Sequence, residues 1–117
     1  MIYVSGQVAL DPSNPGSKAL VGGGDVEAEM KRACENMMSV LEQVGSGSTR
    51  ILKTNIYCSN MADYEKINNV YRAFFGDGDM PARVCVQVKE LPLGALVEIC
   101  CFAVPRGARG GERKAGL

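Results

Sequence analysis

The sequence predicts an α+β fold in two layers, a mixed sheet with two helices stacked on one face. Three observations carry this. Two segments repeat apolar residues at steps of three and four, several short segments alternate or are rich in β-branched residues, and the two kinds interleave as β(β)αβαββ. With 117 residues and 12.5 kDa the chain has the size of a single domain built around one core.

The elements follow in order. Residues 2–9 carry Ile2, Tyr3, Val4 and Val8 and run into a Pro/Gly/Asn/Ser cluster at 12–17, which predicts a strand ending in a turn, with 18–21 as a short partner strand. Three glycines at 22–24 break the chain before Asp25, a natural N-cap. From Val26, the spacing of Met30, Ala33, Met37, Val40, Leu41 and Val44 predicts an amphipathic helix that Gly45 ends. Residues 51–59 alternate as a strand should. Asn60 or Asp63 then caps a second helix with Tyr64, Ile67, Tyr71, Phe74 and Phe75 on one face, stopped by Gly76 and a polar Asp77-Gly78-Asp79 turn. Strands at about 83–89 and 96–104, joined through Pro92 and Gly94, have the spacing of a hairpin. Residues 105–117 change character, with Arg106, Arg109, Arg113 and Lys114 against Glu112, and read as a disordered tail appended to a domain of residues 1–104.

Composition excludes several functions. There is no His, so neither a Ser-His-Asp or Cys-His nucleophile system nor an imidazole metal site can be built. Thirteen basic residues balance thirteen acidic ones, which gives little steering toward a polyanion. Five cysteines with no Cys-x-x-Cys argue against a disulfide framework, a zinc site or a redox dithiol. A reducing, cytoplasmic setting is expected; no targeting segment is readable, and a mitochondrial location is the alternative.

Both parities of the last strand are apolar, with Val97, Ile99, Cys101 and Ala103 on one side and Cys100 and Phe102 on the other. The sheet face away from the helices is therefore expected to be buried against other copies of the chain. In the preceding strand Arg83, Cys85 and Gln87 share one face and Val84, Val86 and Val88 the other; the valines are assigned to the helix-facing core, so that Arg83 points to the interface. A guanidinium there needs an anionic partner, which a carboxylate ligand or Glu98 could supply. Glu98 sits alone in an apolar strand, where a carboxylate is either paired or tuned for proton transfer. In a hairpin centred near Pro92, Glu98 lies roughly 13 Å along the strand from Arg83, so the two read as sides of one pocket, or of pockets completed by neighbouring chains. Ser5 and Gly6, at the end of the first strand, could bind a small anion or simply form a turn.

The runs Ile2-Tyr3-Val4-Ser5-Gly6-Gln7, Lys53-Thr54-Asn55-Ile56-Tyr57, Asn68-Asn69-Val70-Tyr71, Pro81-Ala82-Arg83-Val84-Cys85-Val86 and Leu91-Pro92-Leu93-Gly94-Ala95-Leu96-Val97-Glu98-Ile99 resemble the RidA/YjgF/UK114 family, over Met1 to about Val104. The resemblance implies a chorismate-mutase-like protomer, a homotrimer with three clefts between subunits, and hydrolysis of reactive 2-imino or enamine acids to 2-oxo acids and ammonia. Matched by position, it implies that Arg83 clamps the substrate carboxylate, that Glu98 positions or activates water, that Ser5 and Gly6 line the cleft with Asn68 near it, and that the Cys85 backbone contacts the ligand. It implies no metal and no cofactor. Relative to that family the segment that supplies an edge strand and a cleft-lining tyrosine is missing, so either the sequence is truncated or the sheet edge stands open. The competing expectation is a noncatalytic trimer that binds 2-oxo acids, or an RNA-cleaving, translation-inhibiting member of the same family.

Overall fold

A computed structural model describes residues 1–76 and 80–107. The expected turn at 77–79 and the Gly- and Arg-rich segment from residue 108 onward lie outside the described residues. Strand β1 (Ile2–Gln7) leads to helix α1 (Val26–Gln43), strand β2 (Ile51–Cys58), helix α2 (Tyr64–Phe75), strand β3 (Ala82–Gln87) and strand β4 (Val97–Ala103). The sheet order is β1-β4-β2-β3, with β2 and β3 parallel and the other neighbours antiparallel. The two-layer α+β expectation is met.

α1 starts where its sequence says it should. The Asp25 carboxylate accepts from the Glu27 amide at 3.1 Å, and Gly45 just past its end has φ +77, a conformation that side chains resist. Its buried stripe of Met30, Ala33, Cys34, Met37 and Leu41 packs on Val4, Val97, Ile99, Cys101 and Ala103, and Ile67 and Tyr71 of α2 join the same core. The partner strand expected at 18–21 is a single bridge between Leu10 and Leu20. Beyond Val104 the chain is strapped to the end of α1, where Arg106 donates from its backbone to Gly45 O at 2.8 Å and from Nε to Ser46 O at 3.1 Å. Among the described residues no helix is long and apolar enough to cross a membrane.

Two expectations are corrected. β3 and β4 do not form a hairpin. β3 runs parallel to β2, with α2 as the crossover that parallel strands require, and residues 88–96 carry the chain over the end of β2 to insert β4 between β2 and β1. A connection of that length suits a hairpin loop, but it also steps across one strand at a spacing of about 4.8 Å.

The faces of β3 are also the reverse of those expected. Thr54 of β2 lies opposite Arg83 and Cys101, whereas Tyr57 lies opposite Val86 and Glu98. Opposed residues share a face and successive residues alternate, so Arg83 and Cys85 look toward the helices while Val84, Val86 and Glu98 look to the open face. Val84 and Val86 are accordingly 43% and 45% exposed. The physical reason is the edge position of β3. α1 packs across β4 and β1, away from β3, so the helix side of β3 is thinly covered and holds a guanidinium and a thiol instead of a valine core.

Candidate active site

The site residues form two groups. The first is built on the βαβ unit. At i, i+4 and i+7 of α2, Tyr64, Asn68 and Tyr71 fall on one stripe, and that stripe faces Arg83 of β3. Arg83 donates from Nη1 to Asn68 Oδ1 and from Nη2 to the Tyr64 hydroxyl at 3.0 Å. Its Cζ lies 4.9 Å from the centroid of the Tyr71 ring and 5.8 Å from that of Tyr64. The Tyr71 ring is itself fixed, because its hydroxyl shares a buried 2.9 Å hydrogen bond with Thr54 Oγ1. The guanidinium is thus held half-buried by two neutral acceptors and two aromatic faces. Among the described residues no carboxylate pairs with it. Such a cation keeps its full attraction for an anion.

Cys85 follows on the same side, opposite Ile56 and half-buried. Burial first, and then the Cys58 thiol, push its pKa up to about 11 against the opposing pull of Arg83. It is therefore a protonated thiol near neutral pH rather than a nucleophile.

The second group lies on the open face at the other side of the sheet. β1 carries a bulge, since Val4 is opposite Cys101 but Gln7 is already opposite Ile99; Ser5 and Gly6 occupy the extra length, both exposed. The bulge presses Gly6 onto Glu98. A Cβ on Gly6 would sit 2.4 Å from Glu98 Oε1, so only glycine leaves room for that carboxylate. Beside it, Asn55 Nδ2 lies 3.7 Å from the Cys100 thiol and the Tyr3 and Phe102 rings pack at 4.9 Å.

Arg83 with Asn68 and Cys85, and Glu98 with Gly6 and Ser5, are therefore brought together as two clusters and not as one. Register puts Arg83 and Glu98 on opposite faces of the sheet, with β2 between their strands. This rules out both the intrachain Arg83–Glu98 ion pair and a pocket bracketed by the two within one protomer. A groove of about 650 Å³ lies between α1 and α2, lined by Lys31, Glu35, Val70 and Phe74 among others, and touches neither cluster. Tyr64 was read from sequence only as part of an apolar helix face; its spacing from Asn68 and Tyr71 is the signal that could have found it. The contact of Gly6 with Glu98 had no local signal, because it depends on β4 inserting beside β1.

A profile of the family described as Endoribonuclease L-PSP matches residues 1–105. The 2-iminobutanoate/2-iminopropanoate deaminase of Mus musculus is 43% identical over 103 residues, covering 88% of this chain and 73% of that protein. Among solved structures, the YjgF gene product of E. coli superposes with a TM-score of 0.78 at 29% identity, covering 89% of this chain and 80% of the other. TdcF of E. coli, solved with bound serine, superposes with a TM-score of 0.76 at 30% identity over 87% and 78%.

Proposed function

The chain belongs to the Endoribonuclease L-PSP family, and on that footing we propose that it hydrolyses reactive 2-imino or enamine acids to 2-oxo acids and ammonia, in clefts shared by the subunits of a homotrimer. The observation that carries this reading is the Arg83 guanidinium, held by Asn68, Tyr64 and Tyr71 with no carboxylate among the described residues to neutralise it. A planar fork of this kind fits a carboxylate bidentately. The serine bound in the TdcF structure carries the same carboxylate as a 2-imino acid, and the mouse relative is named for that substrate class.

What supports shared clefts is the register, which keeps Arg83 and Glu98 of one protomer on opposite sides of its sheet, so a site that uses both draws them from two copies. A second copy supplies Glu98, presented over the Gly6 bulge with Ser5 on the rim. The open face, with exposed Tyr3, Val84 and Val86, is the surface that the copies cover.

The chemistry needs no metal, cofactor or histidine. Arg83 binds the substrate carboxylate and orients C2. The protonated imine is already electrophilic, and Glu98 accepts a hydrogen bond from a water, aims its oxygen at C2 and takes its proton as the C–O bond forms. That proton passes to nitrogen, the C–N bond breaks, and ammonia leaves as Glu98 takes the remaining hydroxyl proton and the carbonyl forms; the proton then goes to ammonia or to solvent. Water is thereby consumed once per 2-oxo acid released. Cys85 contributes its backbone to ligand contact, since its thiol stays protonated.

The test is coupled turnover. A pyridoxal-phosphate dehydratase generates 2-iminobutanoate from threonine, and formation of 2-oxobutanoate is followed with and without the protein. Acceleration that disappears in Arg83→Lys supports the reading; no acceleration by the wild-type protein overturns it in favour of a noncatalytic 2-oxo acid binder. The nuclease reading has less behind it, because a chain of zero net charge has little pull on a polyanion and, without His, lacks the usual acid-base group for phosphodiester cleavage.

A further inference from the structure

We propose that Tyr64 is a positioning residue that sets the ligand affinity of Arg83 by fixing the plane of its guanidinium. The inference rests on the reading of Arg83 as the carboxylate clamp, but its geometric part stands apart from it.

An arginine at a sheet edge has a long, freely rotating stem, and affinity for a planar carboxylate depends on how much of that freedom is removed before binding. Tyr71 restrains the guanidinium through its ring, whose centroid lies 4.9 Å from Cζ, but a ring contact gives no directional bond to stop the fork from turning in its own plane. In-plane rotation is stopped only by directional bonds to both terminal nitrogens. Asn68 takes Nη1 and Tyr64 takes Nη2 at 3.0 Å, from positions one helical turn apart on α2. Two of the five N–H groups are used and three are left in a set direction.

The chemistry of the acceptor matters as much as its place. A phenol oxygen accepts the Arg83 bond while remaining neutral, so it orients the fork without consuming its charge. Phenylalanine would keep the ring, the packing and the cation–π contact and lose only the orienting bond. Tyr64 is half-buried, outside the closed core, so this exchange leaves the fold intact.

The experiment compares wild type and Tyr64→Phe by two readouts on the full chain. The first needs no ligand: nitrogen NMR of arginine-labelled protein, with the Arg83 signals assigned through Arg83→Lys. Restricted rotation should give separate Nη signals for Arg83 in the wild type and merged ones in Tyr64→Phe. The second is the split of kcat and KM for 2-iminobutanoate, with the dissociation constant of 2-oxobutanoate alongside. KM and that constant should rise together by about three- to tenfold, the effect of ordering one long side chain on binding instead of beforehand, with kcat within about twofold. Unchanged NMR signals overturn the proposal whatever the kinetics do. Changed signals with unchanged affinity overturn it too, as does a fall in kcat at constant KM, which would put the hydroxyl in the chemical step. If the wild type neither turns over the imine nor binds the oxo acid, the functional reading fails, and the NMR alone decides whether Tyr64 orients Arg83.

Discussion

Asn68 offers Arg83 an acceptor without a charge, and in the proposed site that choice sets how strongly the guanidinium attracts an anion. Asn68→Asp keeps the shape and the hydrogen bond but adds a carboxylate beside the guanidinium. Ligand and aspartate then compete for the same cation, so KM should rise by more than about tenfold while the melting temperature holds or increases. A loss of affinity accompanied by unfolding would show that Asn68 is only structural. On the other cluster, Gly6→Ala places a methyl group 2.4 Å from Glu98 Oε1 and forces the carboxylate aside. This should lower kcat by about tenfold or more and leave 2-oxobutanoate binding by calorimetry nearly unchanged, because the proposed carboxylate clamp, Arg83, comes from the other subunit of the cleft and is not displaced. At this scale much was legible. Arg83 and Glu98 stand out as charges in apolar strands, and no periodicity is needed to see them. The neutral cradle of Tyr64 and Tyr71 was hidden because aromatic residues at helical spacing ordinarily mean packing, and here Tyr71 serves both purposes.

Among the elements, α1 was readable to its caps because an 18-residue amphipathic helix carries its own periodicity, its Asp25 start and its Gly45 stop. β3 and β4 were readable as strands but not as neighbours. Alternation says which residues share a face but is silent on which face meets the helices; three valines suggest the core, and the Val84 and Val86 side lies open. A consequence of the packing between α1 and the sheet can be measured. Burial raises the Cys34 thiol of α1 from its ordinary 9.0 to about 12, and burial, with a smaller effect of Cys100, does the same for Cys101 of β4. Below pH 9 these thiols are protonated whether the chain is folded or not, and they add no pH dependence. Between 9 and about 12 the unfolded chain releases their protons and the folded chain keeps them, so stability falls as pH rises, by up to about tenfold in the folding constant per pH unit for each thiol. Denaturant titrations across that range should show the fall, and Cys34→Ala should make it shallower. A slope unaffected by that substitution would mean that Cys34 titrates alike in both states.

For the molecule as a whole, the sheet decides everything about the site. Helices cover one side; the other carries Tyr3, Val84 and Val86 in the open beside Phe102, Cys100 and Glu98. That apolar surface was expected from the double parity of β4, and it is the reason to look for other copies of the chain. The sequence could not show that Arg83 and Glu98 look out from opposite sides, since that follows from strand order and from the register through β2. The proposed site then needs Arg83 from one subunit and Glu98 from another, and subunit mixing tests this directly. Arg83→Ala and Glu98→Ala should each be inactive alone. Unfolded together in equal amounts and refolded, they should recover roughly a quarter of wild-type turnover, the chance that a random neighbouring pair supplies both intact residues in a symmetric ring. A mixture that associates as the wild type does and yet stays as inactive as its components would contradict the shared cleft.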